Sequence, residues 1–299
     1  MSKPVANQHK IAIAIIHGTG PHQPDYADVF TDRLFSTFEK ILNLPAGSAG
    51  DCLVTENIYW IPIVSGRSEQ LWHGLSKCNS LRLNSLRKKS IDLVSAAMAY
   101  ESTQDKGATY TAIHDTVSQS LTNLSSLAGD NAPLCVIAHS FGSVIISDYF
   151  YDLNHRIDIQ RSSSDIEEDK YLTALENGDT FLWYFTLGSP LALWRLACDE
   201  FDQPISVPSS RLIGDLKGLD GGWINLYDPD DIIGYPLKQT SAQYQTAIKD
   251  DIMVEVGGFI KGHTPLSHYD YWLDDDVLDV IAGSLAKTWE QLNAANYPE

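Results

Sequence analysis

The chain has 299 residues, 43% hydrophobic and 20% charged, a composition that predicts a folded protein with a large core and argues against a disordered one. Its 21 basic and 39 acidic side chains leave a formal net charge of −18, which disfavours binding to nucleic-acid phosphates and to anionic lipid headgroups. We therefore expect no nucleic-acid partner. The one basic cluster, Arg82 with Arg87, Lys88 and Lys89, is interpreted as a solvated helix face.

The first residues, MSKPVANQHK, are polar and lead directly into an apolar run, so no secretory signal is expected. No stretch approaches the ~18 apolar residues of a membrane-spanning helix, and we expect no integral membrane segment. The four cysteines, Cys52, Cys78, Cys135 and Cys198, are widely separated and have no metal-binding or CxxC spacing. These features together favour a cytoplasmic location.

Short apolar runs rich in β-branched residues alternate with helical patterns, which is typical of a mostly parallel sheet covered by helices on both faces. The runs predict strands at residues 10–16, 53–60, 133–138, 181–187, 223–227 and 251–256. Apolar residues at helical spacing predict a helix after the first strand (Ala27, Phe30, Leu34, Phe38, Ile41) and a last helix (Leu273, Val277, Ile281, Leu285). We expect a single α/β domain over residues 1–299.

Two stretches do not fit a minimal α/β repeat. Residues 66–110 are long, partly basic, then rich in serine and alanine, and we expect them to form a helical insertion over the carboxyl edge of the sheet, as a lid. Residues 155–170 are polar and acidic, so they are interpreted as a surface excursion, with disorder as one option.

The segment AHSFGS at 138–143 lies between an apolar run and a helical pattern. A serine on such a strand-to-helix turn is held in a strained conformation with its hydroxyl exposed, and the residues two before and two after it must be small. Here those residues are Ala138 and Gly142, so the motif departs from G-x-S-x-G only in its first position. Ser140 is therefore the candidate nucleophile, although a serine that merely caps a helix is the alternative.

The first predicted strand ends in HGTG, at residues 17–20. Acyl transfer needs backbone N–H groups directed at the developing oxyanion, and a glycine-rich turn lets the backbone approach that position. The candidate donors are the N–H of Phe141 and that of Gly18 or Thr19. His17 is expected to be structural, through a hydrogen bond to the loop.

In this type of site the acid follows the serine along the chain and the histidine comes last. The segment YDPDDII offers Asp228, Asp230 and Asp231 after a predicted strand. Asp231 is the first candidate, because Ile232 and Ile233 are expected to return to the core directly after it, and Asp228 is the alternative acid. A loop or cation site formed by these aspartates remains the non-catalytic interpretation.

Two histidines, His263 and His268, follow the last predicted strand. His268 is the first candidate for the general base, because it precedes the last helix in a polar loop whose aromatic neighbours could shield an imidazole from water. His263 is the second candidate.

Five motifs, HGTG, AHSFGS, LGSP at 187–190, LYDPDD at 226–231 and SHYDYW at 267–272, together resemble those of esterases and lipases of the α/β-hydrolase fold. Within them, the likeness is to a lipase-like group that includes GPI inositol-deacylase-like hydrolases. The resemblance covers about residues 10–290 and implies that Asp231 is the acid and His268 the base. Ala138 departs from the usual glycine, and residues 66–110 match no part of the family's pattern.

These features predict a serine hydrolase that cleaves carboxylic esters through an acyl-enzyme formed on Ser140, with His268 as base and Asp231 as acid. The expected substrate is a small-molecule or lipid-like ester, and no metal or cofactor is required. An acyltransferase or thioesterase with the same triad is one alternative. A catalytically silent α/β-hydrolase fold used for binding is the other.

Overall fold

The structure is a computed structural model that describes residues 9–20, 22–77, 80–100, 107–162, 172–194, 196, 203–257 and 267–294. Six strands form the sheet: β1 (Ile11–Ile16), β2 (Leu53–Ile58), β3 (Leu134–His139), β4 (Phe181–Leu187), β5 (Gly222–Tyr227) and β6 (Ile248–Met253). The helices are α1 (Asp28–Leu42), α2 (Ser65–Leu75), α3 (Asn84–Tyr100), α4 (Ala108–Ala128), α5 (Gly142–Ser162), α6 (Leu191–Trp194), α7 (Ala242–Ala247) and α8 (Asp275–Asn293). No helix within the described ranges is both long and apolar enough to cross a membrane.

The strands form one sheet in the order β2-β1-β3-β4-β5-β6, and every neighbouring pair is parallel. The predicted α/β fold class, with a mostly parallel sheet flanked by helices, is confirmed. Strand β1 lies between β2 and β3, so the chain leaves it first to one side and later to the other. Such a reversal opens a crevice at the carboxyl ends of the strands, where α/β proteins bind their ligands.

Alternation along β1 explains why both faces of the sheet are covered. Ala12, Ala14 and Ile16 face a core formed with α4 and α5, whereas Ile11, Ile13 and Ile15 face a second core formed with α1 and α8. Because successive strand residues point to opposite faces, a strand buried on both sides needs a continuous apolar run. All six β1 residues are buried, and so are those of β3.

Strand β6 differs most from its prediction, since it covers Ile248–Met253 and not residues 251–256. It is an edge strand with only β5 beside it, and most of its residues are not buried. Apolar runs locate strands that are buried on both faces, whereas an edge strand can be polar and is missed by that criterion. Val254 and Val256, just beyond its end, are buried, and these two apolar residues are the reason that the strand was predicted too far along the chain.

The two stretches that do not fit a minimal α/β repeat are largely helical where the structure describes them. Helix α5 continues to Ser162, so the option of disorder is wrong for residues 155–162; residues 163–170 lie outside the described ranges. Ile157 packs against the core. Within residues 66–110 the chain forms most of α2, all of α3 and the first turn of α4.

Candidate active site

Ser140 lies on the turn between β3 and α5 with a φ of +52°, in the left-handed region that is strained for a residue with a side chain. Its N–H donates to the Leu187 carbonyl at 2.9 Å. The carbonyl of Ser140 accepts from the N–H of Ser143 at 3.0 Å and from its hydroxyl at 2.7 Å. The surrounding hydrogen bonds therefore hold the strained conformation in place.

Three side chains from distant parts of the chain form a continuous hydrogen-bonded chain at the carboxyl edge of the sheet. The Ser140 hydroxyl lies 2.7 Å from His268 Nε2, and His268 Nδ1 lies 2.8 Å from Asp231 Oδ2. All three residues are buried. Asp231 is the fourth residue after the end of β5. His268 lies in a short 3-10 helix, Ser267–Tyr269, that precedes α8.

The surroundings of Asp231 favour its charged form. Burial alone would raise its pKa, but the hydrogen bond and charge of His268, with the N–H groups of Ile233 and Gly234, hold the pKa below its usual value. A charged Asp231 accepts the Nδ1–H of His268, which leaves the Nε2 lone pair free to accept the Ser140 proton. The arrangement therefore has the polarity that removal of a proton from Ser140 requires.

Asp228 has a different place in the same turn. Its Oδ1 accepts the Asp230 N–H at 2.7 Å, and its Oδ2 accepts the Val256 N–H at 2.7 Å. Asp230 is exposed. Of the three aspartates, Asp231 is thus the one that the structure brings to His268, while Asp228 joins the turn to the chain after β6.

The expected return of Ile232 and Ile233 to the core is wrong, although Asp231 does reach His268. Ile232 does not return to the core, since 60% of it is exposed, and Ile233 is only half-buried. The direction of the Asp231 carboxylate is instead set by hydrogen bonds: Oδ1 accepts the Ile233 N–H at 2.9 Å, and Oδ2 accepts the Tyr271 hydroxyl at 3.0 Å.

Gly18 and Thr19 follow β1 after one residue, His17, and the pairing of β1 with β3 brings the glycine against the serine turn. A Cβ atom on Gly18 would lie 2.5 Å from Ser140 Cβ and 3.0 Å from Ser140 Oγ. Only glycine fits there without displacing the serine. Phe141 stands just before α5, where the first N–H groups of a helix have no helical acceptor.

His17 holds the loop that carries these glycines. Its Nδ1–H donates to the Gly18 carbonyl at 2.7 Å, and its own carbonyl accepts Trp60 Nε1–H at 2.9 Å. The His17 ring stacks on the Trp60 ring with centroids 5.6 Å apart. His263, the second candidate base, lies outside the described residues.

Sequence reasoning missed three residues that support the histidine and the acid. His139 Nε2–H donates to the His268 carbonyl at 2.6 Å, and Tyr271 accepts the Asp228 N–H at 2.8 Å while donating to Asp231. Gly188 has a φ of +54°, and a Cβ there would lie 2.8 Å from Asp231 Oδ2. All three lie inside the motifs AHSFGS, SHYDYW and LGSP, but motif position alone does not reveal which contacts they make.

We expect Gly18→Ala to lower kcat for ester hydrolysis by at least about 10²-fold, because the added methyl group would displace the Ser140 side chain by a large fraction of an ångström. Steady-state kinetics on a small activated ester measures the effect. Gly283→Ala on α8 is the matched control, since a Cβ there meets nothing within 4 Å. Equal activity of the two variants would contradict the close approach.

The histidines of the loop after β1 predict a loss of stability in mild acid. Burial, with the charge of His22, lowers the pKa of His17 to about 3, and burial lowers the pKa of His22 to about 4. Both are neutral in the folded chain, whereas in the unfolded chain they take up a proton below pH ~6.5. The free energy of unfolding is therefore unaffected by these two histidines above that pH. It falls as the pH drops towards 4, because protons bind to the unfolded chain and not to the folded one.

We therefore expect the free energy of unfolding to fall by about 2 kcal/mol per histidine between about pH 7 and pH 5, as measured by urea denaturation. His22→Gln should remove about half of this loss. His73→Gln, at an exposed position of α2, should leave it unchanged and serves as the control. An unaltered pH dependence in His22→Gln would contradict the low pKa of that imidazole.

Comparison with known proteins gives a limited picture. No family model matches the chain, and no curated protein matches it. Among solved structures, one from a study of two fungal esterases from Rhizomucor miehei is similar over 96% of this chain and 78% of that one, with 12% identity and a TM-score of 0.41. An esterase of Pyrobaculum calidifontis is similar over 94% and 77%, with 10% identity and a TM-score of 0.41. At these TM-scores, neither likeness identifies site residues or a substrate.

Proposed function

We propose that this protein is a serine hydrolase that cleaves carboxylic esters. The observation that carries the proposal is the hydrogen-bonded series Asp231–His268–Ser140, with Ser140 on a left-handed strand-to-helix turn. A merely structural serine needs neither the strained backbone nor a buried imidazole backed by a carboxylate. Among esterases and lipases, the motifs favour the GPI inositol-deacylase-like group.

In the proposed first step, His268 Nε2 accepts the Ser140 proton while Oγ attacks the acyl carbon. The N–H groups of Phe141 and of Gly18 or Thr19 stabilise the oxyanion, and the imidazolium returns its proton to the departing alcohol. In the second step His268 takes a proton from water, the hydroxide attacks the acyl-serine, and Ser140 regains its proton as the carboxylic acid leaves. No step requires a metal or a cofactor.

Labelling with a fluorophosphonate tests this proposal, because the reagent reacts with activated serines and not with inert ones. We expect one covalent adduct per chain, located on Ser140 by peptide mass spectrometry and absent in Ser140→Ala. A chain that is not labelled would favour a catalytically silent fold. Faster product release with added alcohols or thiols than with water alone would favour an acyltransferase.

We also propose that α2 and α3 form a lid over the site. The Tyr100 ring of α3 packs edge-on against Phe141 at 5.4 Å, and Lys89 Nζ lies 3.5 Å from the centroid of the Tyr269 ring. Between these helices and the loop after β1 lies a cavity of about 290 Å³, large enough for a small acyl or alcohol group. The lid would then limit the size of the substrate.

Ala96 of α3 lines this cavity, so we expect Ala96→Leu to lower kcat/KM for hexanoate esters about tenfold relative to acetate esters. The added side-chain volume would occupy the space that a longer chain needs. Val94→Leu, on the same helix but 56% exposed, is the control and should leave the ratio unchanged. The ratio of the two kcat/KM values for 4-nitrophenyl esters measures the effect, and an equal ratio in both variants would place the substrate elsewhere.

A further inference from the structure

The walls of the cavity beneath α2 and α3 are acidic on the lid side. Glu69 and Asp92 line it from the two helices, and Gly20, His22 and Tyr59 line it from the opposite side. In the described part of the chain, no lysine or arginine belongs to the lining. A ligand group inside this cavity would therefore face carboxylates and not cations.

The cavity is close to Ser140. Gly20 lines it, and Gly20 is two residues beyond Gly18, which abuts the Ser140 side chain. Two residues span at most about 7 Å, so the cavity begins within that distance of the glycine. A Cβ on Gly20 would lie 3.9 Å from the ring of Tyr269, the residue that follows His268. No member of the triad lines the cavity, but the cavity begins near enough to Ser140 to take part of an ester substrate.

Asp92 is the central side chain of this acidic wall. Only 6% of it is exposed, and its Oδ1 accepts a hydrogen bond from Lys88 Nζ at 2.5 Å. The same Lys88 ammonium lies 2.9 Å from Glu69, so this one cation forms ion pairs with two carboxylates. Asp92 Oδ2 is buried and has no hydrogen-bond partner among the described residues. A buried carboxylate oxygen without a donor is costly, and a ligand that supplies the donor offsets the cost.

His22 supplies a second acceptor on the opposite side. Its low pKa, about 4 because of burial, keeps the imidazole neutral, and the ring hydrogen-bonds the backbone of Thr19. Nε2 is buried and unpartnered within the described ranges, so a ring that donates to the Thr19 carbonyl through Nδ1–H keeps a lone pair on Nε2. The cavity thus combines an anionic acceptor and a neutral acceptor.

We propose that this cavity binds a protonated amine carried by the ester substrate, with Asp92 as the residue that selects it. The inference deepens the proposed esterase function and rests on it. An ammonium N–H supplies the donor that Asp92 Oδ2 lacks, and it adds a second positive charge beside the two carboxylates that share the Lys88 ammonium. Both partners are charged when an ammonium donates to the Asp92 carboxylate, whereas only the acceptor is charged when a hydroxyl group donates, so an amine is favoured over a hydroxyl group of similar size.

Binding of small amines tests the site independently of catalysis. Calorimetric titration of the full chain with butylammonium and with 1-butanol compares a cation and a neutral alcohol of similar shape. We expect butylammonium to bind at least about tenfold more tightly, and Asp92→Asn to remove most of that difference. Asp279→Asn, at an exposed position of α8, also removes one negative charge and should leave butylammonium binding unchanged.

Two matched pairs of esters test the site in turnover. In each pair a dimethylammonium group is compared with an isopropyl group of the same shape, once in the alcohol half and once in the acyl half. We expect kcat/KM to favour the ammonium ester at least about tenfold in one pair, and Asp92→Asn to abolish that preference. Because Asp92→Asn disturbs the contact with Lys88, Ser95→Leu provides a second variant that blocks the cavity and leaves the ion pair intact.

The outcomes separate this inference from the proposed function. Hydrolysis of all four esters without an ammonium preference would overturn the amine site and leave the esterase intact. Equal binding of butylammonium and 1-butanol would also overturn it, in favour of a hydroxyl-binding site. Tight butylammonium binding that depends on Asp92, in a chain that hydrolyses no ester, would instead refute the esterase and support the cavity as a cation site.

Discussion

Replacing Ser140 with alanine is expected to lower kcat for small activated esters by about 10⁴-fold or more, because the variant lacks the oxygen that forms the acyl-enzyme. The hydroxyl lies 2.7 Å from His268 Nε2, and the Ser143 hydroxyl at the start of α5 is engaged elsewhere: it donates to the Ser140 carbonyl, and its Oγ lies 2.7 Å from that of Ser189. The release of 4-nitrophenol from its acetate ester measures the effect.

The matched control is Ser147→Ala in helix α5, which begins two residues after Ser140. Ser147 Oγ lies 3.4 Å from the hydroxyl of Tyr184, and Ser147 follows Ser140 by seven residues. We expect its activity to stay within a few-fold of the parent and its circular dichroism to match that of Ser140→Ala. If the activity of Ser140→Ala stays within tenfold of that of the parent, the assignment of Ser140 as the nucleophile is wrong.

Asp231→Asn is expected to lower kcat by about 10⁴-fold, since an amide can donate to His268 Nδ1 and so stabilise the wrong tautomer. The carboxylate now accepts from both His268 and Tyr271, which fixes its position in the turn. Asparagine has nearly the same shape, so the effect should fall on kcat and leave the fold in place. The same ester assay measures the effect on kcat, and thermal unfolding measures any effect on the fold.

Asp228 and Asp230 supply the controls for this prediction. Asp230→Asn, at an exposed position, should change neither activity nor stability appreciably. Asp228→Asn should lower the free energy of unfolding by about 1–3 kcal/mol, because its two oxygens accept the N–H groups of Asp230 and Val256. A larger loss of kcat in Asp228→Asn than in Asp231→Asn would assign the acid to Asp228.

The pattern of apolar residues along the chain was sufficient to predict the central strands of the sheet. β1, β3 and β4 are buried on both faces, so their apolar runs are continuous, and the predicted bounds differ from the observed ones by at most one residue. The edge strand β6 is shifted by three residues, because a strand that packs on only part of its surface need not be apolar. The helical end of α5 was missed because its residues, HRIDIQRS at 155–162, are too poor in apolar side chains to show a helical spacing.

The position of the candidate nucleophile was also accessible from the sequence. Ala138, Ser140 and Gly142 lie on one turn between a strand and a helix, so the requirement for small neighbours is met within five residues. The contacts that hold this turn could not be predicted from neighbouring residues along the chain. Leu187 accepts the Ser140 N–H from the neighbouring strand β4, and only strand pairing brings that carbonyl to the serine.

The order of the strands and helices, the turn at Ser140 and the short list of candidate acids and bases could be predicted from the sequence, because they depend on neighbours along the chain. Which aspartate reaches His268 depends on packing between distant segments, since Tyr271, 40 residues away from Asp231, orients its carboxylate. The acidic wall at Asp92 likewise exists only where α3 packs beside the loop after β1. Side-chain direction is set by hydrogen bonds and packing between distant segments, and a single sequence does not state which segments meet.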